Sequence, residues 1–349
     1  MLVYWVIFAV IAGAALLYRE EASRQTQLPF LLLATIPTTL MIGLRWKIGP
    51  DWLNYLDQFN YSRLYSFVQG VTHGDPGYFA LNWLVHRFDA PFWVLNFVCG
   101  TIFVAGLTAF CRRQPNPWLA FLVAFPYLVL VVAMSGNRQS VALGFMFLAL
   151  NAFEERRLNR FVGLTIGAAL FHSSVFLMIP LCLLSYTRSG LQRALLLAVV
   201  VGLGYYFFQE SFNIYARRYS MEKIQSTGVA YRLAMNGLAA VLFLAFQKRF
   251  MLDDHQTRLW RNISGATLML VPLVLVIPSS TAVDRFLLYL FPLQFMVLSR
   301  LPKLISAGQG GERQLTLLVV GYAALVQGTF LLFGTYASSY LPYQSILQR

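Results

Sequence analysis

The stretch "FVGLTIGAALFHSSVFLMIPLCLLS", residues 161–185, decides how this chain is threaded. Its 25 residues are long enough for one membrane crossing, which needs about 20 apolar residues. The group "HSS" at 172–174 breaks it near the middle. Either it crosses once, or it enters and returns on the same side with His172 near the tip. Flanking charge separates the two readings. With a hairpin, the cytoplasmic loops hold 16 of the 27 Lys and Arg residues, among them Arg19, Arg112, Arg156, Arg188, Lys248 and Arg300. With a single crossing every later loop changes side, and the inner share falls to 13 of 27. The positive-inside rule therefore favours the hairpin. A non-helical tip at membrane depth is tolerated only where protein or a wet cavity surrounds it. The hairpin thus implies a cavity open to the outer side.

The rest of the chain agrees with a membrane protein. Its 349 residues are 58% hydrophobic and 12% charged, with a mean hydropathy of +0.60; soluble domains carry about 25% charge. Apolar runs at 2–18, 28–44, 91–111, 117–134, 139–153, 194–210, 230–247, 262–278, 286–300 and 314–334 read as about ten full spans. The expected fold is therefore all-α, a polytopic transmembrane helical bundle forming one domain over 1–349. It carries one re-entrant helical hairpin and an outer interfacial helix over 77–88. Both termini face outward. The net charge of +13 is mostly loop arginine that orients the chain, so nucleic acid is not implied. Cys99, Cys111 and Cys182 fit neither a disulfide framework nor a metal site. No Gly-rich phosphate loop or nucleophile elbow occurs, and no cofactor is expected.

With the hairpin in place, the unusual polar residues face one side. The first outer loop, "GLRWKIGPDWLNYLDQFNY" at 43–61, breaks at Gly49-Pro50. Asp51 then either caps a short helix or acts as a general base on a hydroxyl. Trp52, Tyr55 and Phe59 share one face of that helix. Asp75, before Pro76, reads as a second cap. "MSGNRQSVALG" at 134–144 puts Arg138 at an outer turn, below the surface and looking into the cavity. His172 is either a proton carrier or a structural histidine. Arg217 and Arg218, between Tyr215 and Tyr219, suit a diphosphate, because guanidinium forks bind phosphate oxygens in pairs. Arg285 follows Asp284 at the start of a span, as a local ion pair or as a lining residue. Asp253-Asp254-His255 falls in an inner loop and reads as solvated. Together the outer loops 45–90 and 211–229 would frame a site for a ligand with an anionic head and an apolar tail.

The order of these pieces resembles the EpsG family of Wzy-type polysaccharide polymerases. The matching segments are "RWKIGPDWLNY" (45–55), "DPGYFALNWL" (75–84), "RQSVALGFMFLAL" (138–150), "AALFHSSVFLMIPL" (168–181) after the basic "EERRLNR" (154–160), and "YLPY" (340–343). Lys47 and Pro50 depart from the first motif, and Asp75 stands where glutamate is expected. The resemblance implies a multi-pass glycosyltransferase of the bacterial inner membrane whose site faces the periplasm. Such an enzyme moves a growing undecaprenyl-diphosphate-linked glycan onto a lipid-linked repeat unit, in exopolysaccharide or O-antigen biosynthesis, without a metal. Its partners would be the lipid-linked oligosaccharide and polymer, membrane lipids and a chain-length regulator. Asp51, His172 and Arg138 are the expected catalytic residues. Arg45, Arg217, Arg218, Arg285, Tyr55 and Asp75 are the expected substrate contacts. An O-antigen ligase and a lipid-linked oligosaccharide flippase or transporter are the alternatives.

Overall fold

A computed structural model of the chain describes residues 1–18, 24–72, 74–187, 189–218, 228–276, 280–306 and 311–348; side chains at 24–31, 204, 207–218, 275–276 and 280–282 fall outside the description. Among these residues the protein is helical throughout. Helices α1 (Leu2–Leu17) and α2 (Arg24–Gly43) pair. Three short helices, α3 (Trp52–Ser62), α4 (Phe67–Thr72) and α5 (Pro76–Arg87), then form a cap before α6 (Phe92–Cys111) enters the bundle. Next come α7 (Pro117–Ala124), α8 (Asn137–Glu154), α9 (Leu158–Ala169) and α10 (Met178–Leu183). The series closes with α11 (Gly190–Arg218), α12 (Val229–Phe246), α13 (Asp254–Val276), α14 (Ser280–Leu287), α15 (Pro292–Ser306) and α16 (Glu312–Phe333). Phe92–Cys111, Val229–Arg249, Val283–Ser306 and Glu312–Phe333 are long and apolar enough to cross a membrane. Several shorter apolar helices accompany them, so the chain is a multi-pass membrane protein.

Two ends of the bundle can be told apart by their contacts. At the end carrying Arg138, the Tyr4 hydroxyl donates to the Tyr340 carbonyl at 2.8 Å. Residues 44–46 pair there with 344–346, through Trp46 N to Gln344 O and Ile346 N to Leu44 O, both 2.9 Å. At the end carrying Glu154, Asn116 Nδ2 donates to Ala15 O at 3.1 Å, Arg113 pairs with Glu155, and Arg300 donates to Gln114.

The segment 161–185 doubles back. The Phe153 ring at the Glu154 end stands 4.8 Å from that of Phe161 and 5.4 Å from that of Tyr186, so both feet of the segment touch the same residue. Between them α9 climbs beside α8 and breaks at Leu170–His172, where His172 is extended (φ −159°, ψ 105°). The return is a 3-10 turn (Ser173–Leu177), α10 and a second 3-10 turn (Leu184–Tyr186). Protein packs on part of the broken tip, as non-helical backbone at membrane depth demands, while Leu170 and Ser173 stay exposed. Gly77 N donates to Leu170 O at 2.8 Å, and the Phe171 ring stacks on Phe145 at 6.0 Å. The fold makes a direct prediction, aided by three native cysteines that are all buried. Exposed single cysteines replacing Arg160 and Ser189 should react with an impermeant thiol reagent from one side of the membrane, and one replacing Asp89 from the other. Labelling of the first two from opposite sides would refute the hairpin.

Two local features set the position of α8. The helix begun by α7 continues as a nine-residue π-helix, Phe125–Ala133. Pro126 has no N–H to give Leu122 O, which removes one α-type bond where the wider turn begins. Helices α6 and α8 cross at glycines. A Cβ on Gly106 would lie 2.1 Å from Gly144 O, so the two backbones touch, the small-residue packing typical of membrane helices. Trp52, Tyr55 and Phe59 bury their shared face against Tyr78, Val85 and Phe92, which seats the cap on α6.

Candidate functional site

The site is built around the turn that precedes α8. Gly49, at φ 91°, packs so closely on this turn that a Cβ would lie 2.7 Å from Met134 O. This brings the start of α3 against residues 134–136. Asp51 and Asp75 occupy the N-cap positions of α3 and α5, yet neither side chain makes a cap hydrogen bond. Both turn toward the α8 turn instead. Asp51 Oδ2 accepts from Ser135 Oγ at 2.8 Å. Asp75 Oδ2 accepts from Arg138 at 2.7 Å. The cap readings of both acids therefore give way to tertiary partners.

Arg138 is the hub. Its guanidinium pairs with Asp75 and stands 5.7 Å from the centre of the buried Tyr55 ring. Tyr55 in turn meets Tyr78 edge to face at 5.6 Å. Burial pushes the Asp75 carboxyl above its usual range, while Arg138, and beyond it Arg285, pull the other way. Arg285 is exposed on α14, and its carbonyl accepts from Gln139 Nε2 at 3.2 Å, so α14 is tied to the first turn of α8. His172 Nδ1 is 2.8 Å from Ser174 Oγ, and its ring faces Tyr289 at 6.2 Å. Arg285 and Arg138 are both within electrostatic reach of it. The structure thus gathers Arg138, Asp75, Tyr55, His172 and Arg285 at one end, with Asp51 one helical turn from Tyr55.

Other expected residues stand elsewhere. Arg45, expected to touch phosphate, is 2% exposed. It donates to Ile42 O at 2.7 Å and to Asn137 Oδ1 at 2.6 Å, and Asn137 donates to Asn96 at 2.8 Å. It is the centre of a buried amide network beneath the site, and its guanidinium faces protein rather than an opening. The local pair Asp284–Arg285 does not form, because Asp284 pairs with Arg232. Arg232 also donates to Tyr127 Oη at 2.7 Å and lies over that ring; nothing in the neighbouring sequence singles it out. Arg217 and Arg218 close α11, and their side chains, like residues 219–227, lie outside the described residues. Helix α11 packs on the 173–177 turn and on α14. His255 is buried and bonds Phe153 O at 3.1 Å, while Asp253 pairs with Arg156 at 3.7 Å. Among the described residues no cluster of three His, Cys, Asp or Glu side chains could hold a metal.

A groove of about 480 Å³ opens beside Arg138, between α3, α4 and α5. Gln58, Tyr61, Tyr65, Asp75, Asn82 and Arg138 are among its lining residues. Two smaller recesses, of about 290 and 280 Å³, lie at the Glu154 end around Arg113 and Arg258. Chemically, the Arg138 end offers fixed cations, a carboxylate of raised basicity and an imidazole, next to a polar and aromatic groove.

No curated protein and no solved structure matches the chain. The family model described as "EpsG family" matches residues 28–345, nearly the whole length, and takes in the cap, the α8 turn, the hairpin and the closing segment at 340–343; the chain belongs to the EpsG family.

Proposed function

We propose that this membrane protein is a polysaccharide polymerase. It transfers a growing glycan from undecaprenyl diphosphate to a lipid-linked repeat unit at the outer face of the bacterial inner membrane. The observation that carries this reading is Arg138, held between the Asp75 carboxylate and the Tyr55 ring on the wall of the 480 Å³ groove. A fixed guanidinium suits the diphosphate of a lipid-linked donor, and the groove suits sugar.

In the reaction the acceptor hydroxyl attacks the anomeric carbon of the donor glycan. The bond from that carbon to the phosphate oxygen breaks, and undecaprenyl diphosphate leaves with the electron pair. Arg138 and Arg285, with Arg217 and Arg218 as further contacts, stabilise the charge growing on the leaving group. The hydroxyl proton passes to a basic side chain. Asp51, His172 and Asp75 all present one at this end, and Asp75 is favoured because it alone of the three lines the groove beside Arg138. A donor diphosphate that engages Arg138 would compete with Asp75 for it. The carboxylate is then released, and becomes more basic, at the moment the donor is in place.

Purified protein in liposomes, given a lipid-linked repeat unit alone, should build a ladder of lengths on a gel. A single band of unit glycan moved to another lipid would instead identify a ligase. Movement of the substrate across the membrane without elongation would identify a flippase.

A further inference from the structure

We infer that the α3–α5 groove is the acceptor-sugar subsite and takes uncharged, hydroxyl-rich pyranose units rather than the diphosphate; this rests on the polymerase reading and assigns the two halves of its site.

Charge comes first. The chain carries +13 overall, yet the charged side chains lining this groove are Asp75 and Arg138, which neutralise each other. An anionic ligand gains nothing by lying deeper than Arg138. The remaining cation of the described site, Arg285, sits on α14, outside the lining of the groove and within electrostatic reach of both Asp75 and His172. The diphosphate therefore belongs on the Arg285 side, and the sugar on the cap side.

Hydrogen-bonding capacity comes second. Asn82 is 2% exposed, and its Nδ2 donates to Tyr78 O at 2.6 Å. Asn82 lines the groove, and its Oδ1 is buried without a hydrogen-bond partner. An unpaired buried acceptor is costly to leave unmade, and a small turn of the Asn82 amide toward the groove would let a sugar hydroxyl satisfy it. A pocket that pairs hydroxyls in this way rejects analogues lacking them. Tyr61, 63% exposed and lining the groove, offers an aromatic ring for the apolar face of a pyranose. Gln58, on the turn of α3 before Tyr61, adds a donor and an acceptor. The volume lies within the range of small-molecule sites and accommodates a short oligosaccharide.

The test uses the full chain in nanodiscs and two probes, studied by titration calorimetry. One is the repeat-unit oligosaccharide freed from its lipid diphosphate by mild acid. The other is undecaprenyl diphosphate. Tyr61→Ala and Gln58→Ala alter exposed side chains, so the fold should persist. Each should weaken the free oligosaccharide about tenfold, the factor of one lost polar or aromatic contact, and leave undecaprenyl diphosphate unchanged. The inference is overturned if the native protein does not bind the free oligosaccharide, or if both variants bind it as the native protein does. Its failure is separable from that of the polymerase reading. A ladder from both variants with native acceptor dependence would remove the subsite and leave the polymerase. Variant-sensitive sugar binding by a protein that builds no ladder would do the reverse.

Discussion

Arg138→Ala should lower the rate of glycan elongation on the order of 10²–10³-fold, the usual cost of removing one preorganised charge donor from a transition state. The protein itself should survive the change. The Arg138 side chain is 36% exposed, so no sealed cavity forms, and Asp75, left without its partner in a partly buried position, can take up a proton rather than remain an unpaired charge. Arg138→Lys should recover only a part of the rate. Lysine presents a compact ammonium, without the planar fork that spans two phosphate oxygens or the flat face that rests on Tyr55. Because Asp75 and Arg138 form one pair, Arg138→Ala combined with Asp75→Asn should cost less than the product of the single losses. The measurement is the initial rate of lipid-linked unit consumption per folded protein in liposomes. A rate within a few fold of native for Arg138→Ala would remove the residue from the mechanism, whatever the ladder looks like at long times.

What was legible in the sequence, and what was not, follows from the range of the forces involved. The hairpin could be read because charge bias in loops is a sum over the whole chain, and "HSS" interrupts an otherwise apolar run. The buried face of α3 could be read because Trp52, Tyr55 and Phe59 repeat at helical spacing. The partners of Asp51 and Asp75 could not. Each acid sits where local rules predict a cap, but the groups that claim them are 84 and 63 residues away. In the sequence alone Arg45, at the start of an outer loop, reads as a phosphate contact. Its burial depends on Asn96 and Asn137, isolated amides in apolar runs that meet only when α6 and α8 cross. The Arg232–Asp284 pair is likewise a product of folding, with no spacing to announce it. The π-helix at 125–133 leaves no mark on hydropathy, since its residues are hydrophobic throughout but for the Tyr127 hydroxyl.

That crossing of α6 and α8 yields the second large effect. Gly144→Val should sharply reduce the yield of folded protein and disable what remains. A Cβ at Gly144 would fall 2.6 Å from Ile102 O and 2.9 Å from Phe103 Cα, which are backbone atoms and cannot rotate away. The helices must part or slide, and each route forfeits dispersion contacts along a seam where lipid gives no hydrophobic help. Overpacking of this kind typically costs about 1–3 kcal/mol and more where backbone is struck, a large share of the roughly 5–15 kcal/mol that holds a folded protein. The displacement is also transmitted upward, because α8 carries Asn137 and Arg138 on its first turn. A small tilt there draws Asn137 from Arg45 and Arg138 from Asp75 together. Gly144→Ala places the same Cβ and should show the same defect in weaker form. Gly163→Ala on α9, with nothing within 4 Å of its Cβ, should be neutral or slightly stabilising, since alanine favours helix over glycine. Size-exclusion profiles of detergent extracts, read beside thermal unfolding, separate these cases. Native behaviour from Gly144→Val would mean that α6 and α8 do not touch here, and the placement of the α8 turn, with every contact built on it, would have to be abandoned.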